Sequence, residues 1–200
     1  MKPSYLTVNF RQTVAQRFPA RADELNAAFE ARLQALRAEN AGASKEKQRH
    51  LEHQILPGIA AYETLQMAMP KEEALQTVHG YVEQKARREK EAYLKLMRIP
   101  GLYRCVPGIF SKWTPKLFGV TAGFAATDIQ TTGGVWRIDM TKCPYHDACV
   151  QYGCPELCHC FCDSDDITYD GMHPKLYWHR TKTLGRGGNC CDFCLKIKGR

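Results

Sequence analysis

The spacing of apolar residues changes once along this chain of 200 residues, close to Gly119. Before Gly119, apolar residues recur every three or four positions, which aligns them on one side of an α-helix. One such stripe consists of Leu25, Phe29, Leu33 and Leu36. After Gly119, residues 135–140 alternate apolar with polar side chains, as in a half-buried strand. The order of the two patterns predicts an α+β fold, with N-terminal helices followed by a small sheet.

Turn residues divide the two halves of the chain into elements. The spacing predicts that residues 20–118 are mainly helical. Strands are predicted near residues 135–140, 175–182 and 190–197. We expect the sheet to be antiparallel, with a cysteine-rich segment, residues 143–170, between its first two strands. The start of this segment is compatible with one short helix. Residues 1–200 are therefore predicted to be a single α+β domain.

Composition and charge exclude several classes of protein. A hydrophobic content of 44% and a charged content of 24% are ordinary for a soluble globular domain. No stretch supplies the roughly 20 apolar residues that span a bilayer, and no secretory signal pattern is visible, so we expect a cytoplasmic protein that does not bind membranes. The first 100 residues carry 16 basic and 12 acidic side chains and the last 100 carry 12 and 9, within a net charge of +7. This even division argues against nucleic acid as a partner. A small molecule is the expected partner, and a homo-oligomer remains open.

All ten cysteines lie in the second half of the chain. They are Cys105, Cys143, Cys149, Cys154, Cys158, Cys160, Cys162, Cys190, Cys191 and Cys194. Without a secretory signal, such a cluster favours metal binding or thiol chemistry over disulfides. We therefore divide the domain into a helical part, residues 1–119, and a cysteine-rich sheet part, residues 120–200, which carries the site.

The spacing of the cysteines matches a zinc site only in part. Structural zinc sites combine two short cysteine knuckles, and the nearest approximation is Cys154 and Cys158 with Cys191 and Cys194. If residues 191–195 form a strand, Cys191 and Cys194 project to opposite faces and cannot share an ion. We therefore expect no metal and no other cofactor, and zinc stays the alternative.

Cys162 and Asp165 are the candidate catalytic residues. A nucleophilic thiol needs a depressed pKa and a partner for proton transfer. The carboxylates of Asp163, Asp165 and Asp166 would raise the pKa of the Cys162 thiol unless a cation lies close. Asp165 can act as a general acid or base beside the thiol. Arg180 is the candidate to bind an anionic substrate, because its planar guanidinium can donate two parallel hydrogen bonds to a carboxylate.

Several short motifs occur in an order that resembles a known family. The N-terminal part is residues 50–65 followed by residues 72–75. The C-terminal part consists of Cys143-Pro144, residues 153–157, Cys162-x-x-Asp165, residues 180–184 and residues 187–193. This set, over roughly residues 45–195, resembles the L-2-amino-thiazoline-4-carboxylic acid hydrolase family. Five cysteines are additional to the pattern: Cys149, Cys158, Cys160, Cys190 and Cys194.

The resemblance implies a hydrolase that opens a small cyclic amidine carboxylate to a carbamoyl amino acid. Such a reaction needs an activated nucleophile, a proton donor for the ring nitrogen and a cation for the carboxylate. Residue chemistry suggests Cys162, Asp165 and Arg180 for these roles. Further candidate substrate-binding residues are Cys143, Cys191 and Asp192. The alternative is a non-catalytic, thiol-rich module that senses a metal or a small ligand.

Overall fold

A computed structural model describes residues 3–199. Its helices are α1 (Tyr5–Arg17), α2 (Ala22–Glu39), α3 (Lys45–His50), α4 (Leu56–Leu65), α5 (Lys71–Leu96), α6 (Val106–Leu117), α7 (Pro144–Gln151) and α8 (Cys158–Tyr169). Its strands are β1 (Ala125–Thr132), β2 (Val135–Lys142), β3 (Leu176–His179) and β4 (Cys191–Ile197). They form one antiparallel sheet in the order β1-β2-β4-β3. The α+β fold with helices first and an antiparallel sheet second is confirmed.

The helices and strands follow the predicted order. The structure also contains two elements that were not predicted, strand β1 and a second helix in the cysteine-rich segment. The three predicted strands correspond to β2, β3 and β4. Strand β1 was not predicted, because its sequence, AATDIQTT, lacks a regular apolar alternation and it pairs on one side only, at the edge of the sheet. The cysteine-rich segment holds two helices, α7 and α8, rather than one short helix at its start. No helix among residues 3–199 is long and apolar enough to cross a membrane.

The buried side chains form two clusters, one within the helices and one on the sheet. The predicted stripe of α2 is buried in the helical cluster, with Leu25, Phe29 and Leu36 fully inaccessible. On β2, the alternation places Trp136, Ile138 and Met140 in the sheet cluster. Tyr145 packs against both clusters. A cavity lies between the two clusters.

Helix α8 joins the two parts of the domain. It packs along α5 and approaches α4 so closely that Gly58 touches Phe161. A Cβ atom on Gly58 would lie 2.7 Å from Cζ of Phe161, a ring that is 5% exposed and has little room to move. The small residue at position 58 therefore sets how closely α8 approaches the helical core.

We expect Gly58→Ala to destabilise the protein by about 1–3 kcal/mol, the usual cost of overfilling a packed core. The matched control is Gly80→Ala in α5, where an added Cβ meets nothing within 4 Å. That variant should gain about 0.4–1 kcal/mol, since alanine reduces the freedom of the unfolded chain. Urea unfolding of both variants measures the difference, and equal effects would contradict the close approach at Gly58.

Candidate functional site

A cavity of about 300 Å³ lies between α8, α5 and the inner face of the sheet. Its wall contains five of the six predicted site residues: Cys143, Cys162, Asp165, Arg180 and Cys191. The sheet register places part of this wall, because Met140 pairs with Cys191 and Ile138 with Phe193 on adjacent strands. Residues that are 48 positions apart in sequence, such as Cys143 and Cys191, are thereby brought to one site.

Asp165 is the carboxyl group of the cavity wall whose pKa is raised. It lies one helical turn after Cys162 on α8, so both side chains face the same side of the helix. Its side chain is 39% exposed, but it lines a cavity that protein surrounds. Burial away from bulk water raises the pKa of Asp165 to about 7, and the negative charges of Asp166 and Glu89 add to this, whereas Arg180 opposes it. A carboxyl group with this pKa can exchange a proton near neutral pH.

Arg180 directly follows β3, and its side chain is only 2% exposed. Nη2 donates to the carbonyl oxygen of Cys162 at 2.8 Å and to Oδ2 of Asp166 at 2.5 Å. Nη1 makes a longer contact of 3.4 Å with Oδ2 of Asp165. The guanidinium also lies 5.1 Å from the centre of the Phe193 ring. Nη2 is therefore committed within the protein, whereas Nη1 has only a long contact and the buried Nε has no hydrogen-bond partner among residues 3–199.

Cys162 lines the cavity, but its surroundings favour the protonated thiol. The hydrogen bond with Cys158 raises the pKa of Cys162 well above its ordinary value, and burial adds to the rise. The positive charge of Arg180 lowers this pKa without offsetting the other effects. A Cβ atom on Gly185 would lie 2.8 Å from Sγ of Cys158 and 3.0 Å from Sγ of Cys162, so the loop after β3 covers both sulfurs. A nucleophilic thiolate at Cys162 requires a nearby cation. Arg180 is that cation, but its charge does not bring the pKa of Cys162 down to its ordinary value.

Cys143 and Cys191 are neutral thiols in the cavity wall. Burial raises the pKa of Cys143 to about 12 and that of Cys191 to about 11. The backbone N–H of Leu184 donates to Sγ of Cys191 at 3.3 Å. All ten cysteines are free. Within residues 3–199, the two predicted zinc knuckles do not converge on one point, because Cys158 lies in the helical cluster and Cys191 in the sheet cluster.

Asp192 is the predicted site residue that lies outside the cavity wall. Successive residues of a strand point to opposite faces, so Asp192 projects away from the side occupied by Cys191. Its carboxylate accepts hydrogen bonds from the backbone N–H groups of Thr181 at 2.9 Å and Lys182 at 2.8 Å, and from the Thr181 hydroxyl. The carboxylate of Asp192 thus anchors the segment that directly follows Arg180, and its contact with a substrate stays a prediction.

Aromatic side chains form much of the remaining wall, and the sequence analysis did not assign them to the site. They are Tyr93, Phe110, Phe118, Phe124, Trp136, Tyr145, Phe161, Tyr169, Trp178 and Phe193. They come from seven different helices and strands and from the segment between α6 and β1, so no single sequence pattern reveals them. The signal that was available is the apolar face of β2, which contributes Trp136, Ile138 and Met140.

His50 and the pair Lys85–Glu89 are further polar groups of the wall. The ring of His50 contacts the Tyr145 hydroxyl at 3.1 Å and the carbonyl oxygen of Leu117 at 2.8 Å. Burial lowers the pKa of His50, which favours its neutral form. Lys85 donates to Glu89 at 2.6 Å. The wall thus contains two cations, Lys85 and Arg180, each paired with a carboxylate.

The cavity thus combines aromatic walls with a few convergent polar groups in an α+β fold, features that ligand sites share. Residues 48–195 match the model of the L-2-amino-thiazoline-4-carboxylic acid hydrolase family, and the chain belongs to this family. The resemblance carried by the sequence motifs is thereby confirmed. No curated protein and no solved structure matches the chain significantly.

The raised pKa of Asp165 predicts a pH-dependent stability. The folded state holds the neutral carboxyl better than the unfolded state does, so its contribution is complete below about pH 4 and is lost as the pH rises through about 7. Asp165→Asn stays neutral throughout. Its stability relative to the wild type should therefore increase between about pH 4.5 and about pH 8.

Urea unfolding at the two pH values measures this change. Asp170→Asn, at an exposed carboxylate directly after α8, is the matched control and should show no comparable trend. A relative stability of Asp165→Asn that is constant or falls with pH would contradict the raised pKa.

Proposed function

We propose that this protein hydrolyses a small cyclic amidine that carries a carboxylate, such as 2-amino-thiazoline-4-carboxylate, to a carbamoyl amino acid. The observation that carries the proposal is the Asp165 carboxyl group, whose pKa is raised to about 7 in a cavity of small-molecule size. Membership of the hydrolase family supports the same reaction class. The bond broken belongs to a ring and is not a peptide bond.

The electrophile is the ring carbon that lies between sulfur and nitrogen. Addition of a water oxygen to this carbon forms a C–O bond and gives a tetrahedral intermediate. The C–S bond then breaks, the ring sulfur leaves as a thiolate and takes up a proton, and the carbon becomes the carbonyl of a carbamoyl group. One proton of the water is taken by the base during the attack and delivered to the ring nitrogen, which becomes N–H. The other leaves the hydroxyl of the intermediate as the carbonyl forms and goes to the departing sulfur.

Asp165 is the group suited to this proton transfer. Above about pH 7 its carboxylate can accept the proton of an attacking water, and its neutral form can then donate it. The thiol of Cys162 is the other candidate nucleophile. Its strongly raised pKa removes the thiolate population that gives cysteine an advantage over water, so we assign the attack to water.

Arg180 is the proposed partner of the substrate carboxylate, through Nη1. This nitrogen makes only a 3.4 Å contact with Asp165, whereas Nη2 is committed to Asp166 and Cys162. Lys85 is the second cation of the wall. The neutral thiols of Cys143 and Cys191 offer soft, weakly polar contacts to the sulfur-containing ring, and the aromatic side chains offer apolar surface on which a small ring can pack.

Asp165→Asn should lower kcat by about 10²–10⁴-fold, the usual contribution of a general acid or base. The wild-type kcat/KM should rise with pH through an apparent pKa of about 7, because the carboxylate is the active base, and the variant should lose this dependence. Cys162→Ser should retain kcat within about tenfold. Steady-state assays with 2-amino-thiazoline-4-carboxylate give these values, with Asp170→Asn as the control.

A loss of orders of magnitude in Cys162→Ser, together with a covalent adduct seen by mass spectrometry, would assign the attack to the thiol instead. Ligand binding without turnover in the wild type would favour the non-catalytic, thiol-rich binding module.

Arg180→Lys keeps the positive charge beside Asp165 but loses the planar fork of donors. We expect KM for the carboxylate substrate to rise by about tenfold, equivalent to about 1.4 kcal/mol, while the pH midpoint stays near that of the wild type. Arg87→Lys is the matched control, because Arg87 is exposed and pairs with Glu83 on α5. A reduced kcat with unchanged KM would mean that Arg180 positions Asp165 and does not touch the substrate.

A further inference from the structure

A second group of functional side chains lies where α5 packs against α8, apart from the cavity wall. It consists of His79 on α5 and of His159 and Asp163 on α8. His159 and Asp163 are four residues apart, so they lie on the same side of α8. Neither they nor His79 line the cavity that contains Cys162 and Asp165. The group therefore belongs to a different face of α8.

The distances within this group match those of a metal centre. Nε2 of His79 lies 3.2 Å from Oδ2 of Asp163, and Nδ1 of His159 lies 3.6 Å from the same oxygen. Zinc bonds of about 2.0–2.1 Å in tetrahedral geometry separate neighbouring ligand atoms by about 3.3–3.4 Å. All three ligand atoms lie within 4.8 Å of one another. A small rotation of one imidazole would bring these three atoms to the spacing of zinc ligands.

The two imidazole nitrogens are buried polar atoms that the protein leaves unsatisfied. Nε2 of His79 and Nδ1 of His159 are shielded from solvent, and neither makes a hydrogen bond with the residues that the structure describes. Both are close to Asp163 in distance but lack hydrogen-bond geometry toward it. Burial of such atoms without a partner is costly, and a bound ion is one arrangement that satisfies them.

Asp163 is oriented for this role by Arg186. Nη2 of Arg186 lies 2.6 Å from Oδ1 of Asp163, which leaves Oδ2 for the two imidazoles. Partners of this kind commonly fix a metal-binding carboxylate.

We infer that His79, His159 and Asp163 bind a divalent transition-metal ion of the zinc type, with water completing the coordination. Two imidazole nitrogens and one carboxylate oxygen are a ligand set that zinc accepts. The ion would join α5 to α8 on the side of the helix that faces away from the cavity. Because Asp163 lies between Cys162 and Asp165 in sequence, bound metal would also restrain the turn of α8 that carries the proposed general base.

The test is metal binding by the full, tag-free chain after treatment with a chelator, in the absence of substrate. Calorimetric titration with Zn²⁺ should reveal one equivalent, and Co²⁺ should give visible bands without a thiolate-to-cobalt charge-transfer band. His79→Gln and Asp163→Asn should each weaken binding by about 100-fold or more, since each removes a ligand. His53→Gln, at an exposed histidine outside the group, should bind as the wild type does.

Thermal unfolding in chelator checks that each variant folds, and Zn²⁺ should raise the Tm of the wild type and of His53→Gln only. If His79→Gln does not fold, His159→Gln removes the other imidazole and is read in its place. The inference is overturned if no saturable Zn²⁺ binding occurs. It is equally overturned if binding survives in the variants or produces a thiolate charge-transfer band, which would place the ion among the cysteines.

Discussion

The buried guanidinium of Arg180 is the interaction on which the arrangement of the site depends. A charged group that is 2% exposed must be paired and hydrogen-bonded, because its loss of hydration is otherwise too costly. Arg180 follows β3, and its partners, Asp165, Asp166 and the carbonyl of Cys162, all belong to α8. The contacts of this one guanidinium therefore hold α8 against the end of the sheet. The guanidinium separates Asp165, which lines the cavity, from Asp166, which lines a shallow groove on the outer surface.

The same interaction sets the chemistry of the cavity. Burial and two neighbouring carboxylates favour the neutral form of Asp165, whereas Arg180 favours the ion, and the balance leaves the pKa of Asp165 at about 7. The thiols of the wall differ, because the contact with Cys158 and burial outweigh Arg180 at Cys162, and burial outweighs it at Cys191. The thiols of Cys143, Cys162 and Cys191 thus form a neutral, polarizable part of the wall beside Asp165. This division of properties favours a carboxylate as the proton-transfer group of the proposed hydrolase.

Helix α8 presents different chemistry on its two sides. Cys162 and Asp165 face the cavity, while His159 and Asp163 face α5 and His79. The closely spaced cysteines and aspartates of α8 therefore face two environments, because residues of a helix project at different angles around its axis. Gly58 and Gly185 allow the close approaches that hold this helix, the first against the ring of Phe161 and the second against the sulfurs of Cys158 and Cys162.

Local apolar spacing was enough to predict the order of helices and strands, the buried stripe of α2 and the inner face of β2. The motifs of the sequence also indicated Cys162, Asp165 and Arg180, which do lie together. Strand β1 escaped prediction because its pairing with β2, rather than its own apolar pattern, forms it. Three features required the folded structure: Asp192 anchors a loop, Cys158 and burial raise the pKa of Cys162, and His79 lies beside His159 although 80 residues separate them. Each of these depends on burial and on partners distant in sequence, whereas secondary structure depends mainly on near neighbours.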